Sequence, residues 1–110
     1  MPLQTVTSAT IDTVIEHNDF VILDFWSTSC APCRAFAPIF KKASDTYPQI
    51  FFAKVNLSEE PDLIPRFEIK AVPTLLFFLN GELKCQKQGI IQTKELDRVI
   101  QDLLRTLIGR

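Results

Sequence analysis

Phe20-Val21-Ile22-Leu23-Asp24-Phe25-Trp26-Ser27-Thr28-Ser29-Cys30-Ala31-Pro32-Cys33 is the stretch on which the fold turns. Phe20 to Trp26 is a near-continuous apolar run rich in β-formers, the pattern of a central strand buried on both faces. Ser27 to Pro32 carries turn and cap residues. Beyond it Phe36, Ile39, Phe40, Ala43 and Tyr47 recur on one helical face, with Lys41, Lys42 and Asp45 away from it. Pro38 inside that pattern removes an N–H and predicts a kink.

The flanking chain continues the alternation. Leu3 to Thr7 reads as a short edge strand, and Ser8 or Thr10 caps a helix with Ile11, Val14 and Ile15 at helical spacing. Ile50 to Leu57 is a second buried strand. Ser58, Glu59 and Glu60 suit the cap and acidic first turn of a short helix reaching about Phe67. Thr74 to Leu79 and Glu82 to Lys87 are joined by Asn80-Gly81, a pair suited to a tight hairpin turn. Thr93 caps a final helix that carries Leu96, Val99, Ile100, Leu103, Leu104 and Leu107 as one stripe. The order β-α-β-α-β-α-β-β-α predicts a three-layer α/β/α sandwich on a mixed sheet of about five strands and four helices, one domain over 1–110.

Composition narrows the chemistry. Twelve Lys+Arg against thirteen Asp+Glu give a net charge of −1, so no basic field is present to hold nucleic acid or an anionic membrane. Three Gly cannot supply a phosphate cradle or a dinucleotide fingerprint, and a single His excludes a histidine-based metal cluster. Ala71 to Leu79, the longest nearly apolar stretch, falls well short of the roughly twenty residues of a membrane span. Met1 to Asp12 lacks the pattern of a signal peptide, and the expected setting is cytoplasmic.

Cys30 and Cys33, three apart in the first turn of a helix, face each other closely enough to form a disulfide. The helix N-terminus, with its unpaired N–H groups, stabilises a thiolate at Cys30, while Cys33 lies further in and is less ionised. That asymmetry makes Cys30 the attacking thiol and Cys33 the resolving one. The competing readings are two passive core cysteines, or half a zinc site that would have to recruit Cys85 and His17. Cys85 reads otherwise as a passive strand thiol, with a regulatory or intermolecular thiol as the alternative, and His17 as a residue at the C-terminal end of the first helix.

Asp24-Phe25-Trp26, Cys30-Ala31-Pro32-Cys33 and Ala37-Pro38 resemble the active-site segment of thioredoxins. The similarity continues in Lys54-Val55-Asn56, Arg66-Phe67-Glu68-Ile69, Val72-Pro73-Thr74, Asn80-Gly81-Glu82 and Gly89, in order along nearly the whole chain. The resemblance implies the thioredoxin fold and a dithiol-disulfide oxidoreductase, mainly a protein disulfide reductase. Its partners would be disulfide-containing proteins, and an NADPH-dependent thioredoxin reductase would recycle it. It implies a monomer that binds no cofactor or metal itself. A disulfide oxidant or isomerase, and a redox-inactive interaction module, are the alternatives. Against the family pattern, Ser29 replaces a Trp and Ala31 a Gly, changes that bear on partner choice and redox tuning. Glu68 stands where many relatives have Gly, at a cost of roughly 1 kcal/mol if its backbone is left-handed.

Asp24 interrupts an apolar strand, a costly place for a carboxylate. By resemblance it is the buried acid that accepts the Cys33 proton, its pKa raised toward neutrality by burial. Lys54 either pairs with Asp24 and modulates it or reaches past the strand end to solvent. The resemblance implies a cis peptide at Pro73 that leaves the Val72 backbone free for an extended substrate segment. Trp26, Ser29, Ala31, Pro32, Gly89 and Ile90 would complete the substrate-binding surface, with Gly89 permitting close backbone approach.

Overall fold

Strand β2 (Phe20–Trp26) is the axis of the molecule because its side chains are apolar on both faces. The computed structural model describes residues 3–108, with side chains to residue 107. Around β2 lie β1 (Gln4–Thr5), α1 (Ile11–Glu16), α2 (Ala31–Thr46), β3 (Phe51–Asn56), α3 (Leu63–Arg66), β4 (Thr74–Leu79), β5 (Glu82–Gln88) and α4 (Thr93–Ile108). The sheet order is β1-β3-β2-β4-β5. β3 runs parallel to both β1 and β2, whereas β4 is antiparallel to β2 and β5.

Period-two alternation sends Phe20 and Ile22 to one face and Val21, Leu23 and Phe25 to the other. The first face packs against α2 and α4 through Phe36, Phe40, Leu96 and Ile100; the second packs against Ile11, Ile15 and Leu63 of α1 and α3. These are the three expected layers. Burying each large apolar side chain contributes about 1.5–3 kcal/mol, and Phe40 adds an edge-to-face contact with Phe52 at 5.3 Å.

The hairpin turn has positive φ at both Asn80 (50°) and Gly81 (84°), as a primed two-residue turn requires. The pairing of β4 with β5 slips between Phe77 and Phe78, which leaves Lys84 as an extra residue on the edge strand. α2 continues through the exposed Pro38, which costs one backbone hydrogen bond without ending the helix.

Several boundaries differ from the sequence expectation; β3 runs Phe51–Asn56 rather than Ile50 to Leu57, and β5 reaches Gln88 rather than Lys87. The first strand shortens to Gln4–Thr5, where it pairs with Ala53 and Lys54. Neither Ser8 nor Thr10 caps α1 through its side chain. The Thr10 hydroxyl accepts the Thr7 N–H, and the Ser8 hydroxyl faces Glu60 and Asp62. The helix expected from Ser58 begins only at Leu63, because Asn56 captures the turn: its side chain accepts the Ser58 N–H and its carbonyl those of Glu59 and Glu60. Thr93 is the first residue inside α4, and Gln92 supplies the first carbonyl, to Leu96 N–H. No helix among the described residues is long and apolar enough to cross a membrane.

Candidate active site

Cys30 occupies the N-cap of α2 with extended backbone (φ −103°, ψ 106°). That conformation swings its side chain over the first turn, where Sγ accepts the Cys33 N–H at 3.1 Å. The two sulfurs are bonded as a disulfide, with the Cα atoms 5.2 Å apart. Both cysteines are buried, Cys30 at 7% and Cys33 at 4% exposure, so exposure hardly separates them. Their surroundings do. Cys30 Sγ takes the helix N–H and lies 3.7 Å from the Val72 carbonyl, whereas Cys33 Sγ has no hydrogen-bond partner among the described residues.

The Val72–Pro73 peptide is cis. Two hydrogen bonds brace this turn: Gly89 N–H to the Pro73 carbonyl (2.8 Å) and the Thr74 hydroxyl to the Ala71 carbonyl (2.5 Å). Gly89 adopts φ 79°, left-handed backbone that glycine takes without strain. Ile90 beyond it is 41% exposed. Ser29, Ala31 and Pro32 are exposed around the buried sulfur. Val72 thus lies against Cys30, and the end of β5 is joined to it through the bond from Gly89 to Pro73, so backbone from three separate parts of the chain is linked here.

Asp24 is 1% exposed and its Oδ1 has no hydrogen-bond partner among the described residues. It shares the Phe20 and Ile22 face of β2, the side on which α2 packs. Burial pushes its pKa up from 3.8 to about 7, against a smaller lowering by the charge of Lys54. Lys54 is the register partner of Asp24 on β3. Its ammonium makes no ion pair there; it lies 5.0 Å from the centre of the half-buried Trp26 ring. Lys54 therefore acts on Asp24 through the field rather than by contact.

Cys85 is free and half-buried on β5. His17 caps the C-terminus of α1, its Nδ1 3.0 Å from the Thr13 carbonyl. No three metal-capable side chains converge among the described residues. Two features escaped the sequence reading. Leu57, Ile64, Ile69, Lys70, Ala71 and Val72 line a shallow, mostly apolar groove that reaches Cys30 through Val72, and apolar spacing alone presents its walls as core. Thr28 and Ser58 join across thirty residues, a contact without any local signal.

A family model described as Thioredoxin matches residues 2–102. The chain is 37% identical over 95 residues to a putative thioredoxin 2 of Streptomyces coelicolor, covering 86% of this chain and 71% of that protein. It is 39% identical over 82 residues to thioredoxin-1 of Saccharomyces cerevisiae, covering 74% of this chain and 80% of the relative. Its fold superposes on a Plasmodium falciparum thioredoxin structure with a TM-score of 0.84 at 30% identity, covering 91% of this chain and 98% of the other. Oxidised mitochondrial thioredoxin 3 of Saccharomyces cerevisiae matches at 0.84 and 29% identity, covering 91% and 94%.

Proposed function

The chain belongs to the thioredoxin family and is a thiol-disulfide oxidoreductase of the protein-disulfide-reductase type, and from that premise we propose that Cys30 attacks, Cys33 resolves and Asp24 takes the proton between them. The Cys30 thiolate attacks one sulfur of a target disulfide, forming a mixed disulfide and expelling the other target sulfur as a thiolate. Asp24 accepts the proton of Cys33, whose thiolate then attacks Cys30 Sγ. The second target sulfur leaves, the Cys30–Cys33 disulfide forms, and the target has gained two electrons and, from solvent and Asp24, two protons.

The observation that carries this reading is the disulfide at the N-terminus of α2, with a helix N–H on Cys30 Sγ alone and an unpartnered carboxyl buried on the α2 side of the sheet. The helix terminus favours negative charge on Cys30 over Cys33. The exposed Ser29, Ala31, Pro32 and Ile90, the half-buried Gly89 and the groove beside Val72 are the surface we assign to the substrate polypeptide, with the Val72 carbonyl as its backbone acceptor. An oxidised product must be returned to the dithiol before the next cycle, so the role requires an external reductant. By family analogy this is an NADPH-dependent thioredoxin reductase, acting on a monomer in the cytoplasm.

Replacing Cys33 with Ser tests the roles. Stable mixed disulfides should accumulate on Cys30; their absence removes Cys30 as nucleophile. The direction is tested by the equilibrium potential in glutathione buffers. A value below about −250 mV supports a reductase, and one above roughly −200 mV supports an oxidant or isomerase.

A further inference from the structure

Ser27, Thr28 and Ser29 carry the chain from β2 to Cys30, and they make no backbone-to-backbone hydrogen bond among the described residues. Among the described residues, Thr28 alone ties this loop down by hydrogen bonds. Its N–H donates to Ser58 Oγ at 3.1 Å, and its hydroxyl lies 3.2 Å from the same oxygen. Its carbonyl accepts from Arg34 Nη1 at 3.5 Å, a longer contact from the first turn of α2.

Ser58 is itself fixed to the sheet. Its N–H donates to Asn56 Oδ1 at 3.0 Å, and the neighbouring Leu57 N–H donates to the Trp26 carbonyl at 2.8 Å. The turn after β3 is therefore fastened to the end of β2 and grips the loop that leaves it. We propose that Ser58 is a positioning residue for disulfide exchange: with Thr28 it clamps the β2–α2 loop so that Cys30 stays at the N-cap of α2, its sulfur on the Cys33 N–H. The proposal rests on Cys30 as the attacking sulfur.

The physical case is a separation of effects. Thr28 and Ser58 are both exposed, so water replaces the lost hydrogen bonds and folding is little affected. The loop, however, has no other hydrogen-bonded tie to the sheet among the described residues. A small displacement of a nucleophile is costly in rate even when the fold survives.

The test uses the full chain with Ser58→Ala, Ser58→Thr and Thr28→Val. Two readouts are the pH midpoint of Cys30 alkylation by iodoacetamide in the reduced protein, and kcat/KM for insulin and for the small disulfide 5,5′-dithiobis(2-nitrobenzoate). Ser58→Ala should move the alkylation midpoint upward and lower kcat/KM about tenfold for both substrates. Ser58→Thr should restore both, and Thr28→Val, which keeps the N–H bond, should show a smaller change of the same sign. An unmoved midpoint overturns the proposal, as does a defect confined to insulin, which would make Ser58 a docking contact. A Thr variant as impaired as the Ala variant also overturns it. If the unaltered protein reduces neither disulfide, the reductase reading fails; the alkylation midpoint needs no substrate and still decides the clamp.

Discussion

Asp24 is the residue at which stability and reactivity oppose each other. Its pKa is about 7 in the folded protein and 3.8 in the ordinary state, so the folded form holds the proton more tightly. The stability that this group contributes is full below about pH 4 and is lost as pH rises toward and through 7. Beyond that, the fold carries a buried carboxylate at a cost of about 4 kcal/mol. Asp24→Asn removes the slope. At pH 8 the variant should resist urea better than the parent, and near pH 4 the two should converge; parallel curves from pH 4 to 8 would show that Asp24 does not titrate in this range. The same variant should slow release of the reduced target about tenfold at neutral pH. That is less than a general base usually contributes, because a thiol of ordinary pKa is already partly ionised there. Single-turnover release from a preformed mixed disulfide measures it. Asp24 was legible in the sequence because a charge amid β-formers is conspicuous. The direction of Lys54 was not, because register places it beside Asp24 while the cation–aromatic contact with Trp26 decides where its ammonium goes.

Among the elements, two positions of left-handed backbone predict opposite effects. Gly81 has φ 84° in the β4–β5 turn, and a Cβ there would meet nothing within 4 Å, so Gly81→Ala isolates the backbone cost. It should destabilise by about 1 kcal/mol. Glu68, exposed between α3 and the Val72–Pro73 turn, has φ 54°. Glu68→Gly should stabilise by about 0.5 kcal/mol, relief of the strained backbone being partly offset by the greater freedom of glycine in the unfolded chain. Equilibrium urea unfolding of the two variants reads both signs, and a destabilised Glu68→Gly would mean that the carboxylate makes a contact worth more than the strain. Elements that are long and patterned could be read from the chain alone: β2, α2, the hairpin and the stripe of α4 all lie where periodicity puts them. The short ones could not. β1 exists only through its pairing with β3, and the start of α3 was displaced because Asn56 offers a carbonyl and a side chain to the preceding turn. Such tertiary and capping competition leaves no periodic trace.

At the scale of the whole molecule, the redox potential and the folding free energy are two sides of one cycle. The Cys30–Cys33 bond spans a separation of only three residues, and closing so short a loop removes about 2 kcal/mol of freedom from the unfolded chain. Reduction returns that freedom to the unfolded state. In the fold it also creates a thiolate at the end of a 16-residue helix, where the unpaired N–H groups and dipole contribute up to about 1 kcal/mol in its favour. The first effect exceeds the second, so the oxidised protein should be the more stable by about 1 kcal/mol. Folding then pulls the potential of the pair about 20 mV below that of the same cysteines in the unfolded chain, which is the sense a reductase needs. Neither Ala31 nor Pro32 offers a charge or side-chain donor between the cysteines that would tip the balance toward the dithiol. Guanidinium unfolding of the oxidised and fully reduced protein at pH 7 measures the difference directly. A higher midpoint for the oxidised form agrees with a donor of electrons to target disulfides. A higher midpoint for the reduced form would mean that the fold stabilises the dithiol, and the protein would then be an oxidant relative to its own unfolded chain.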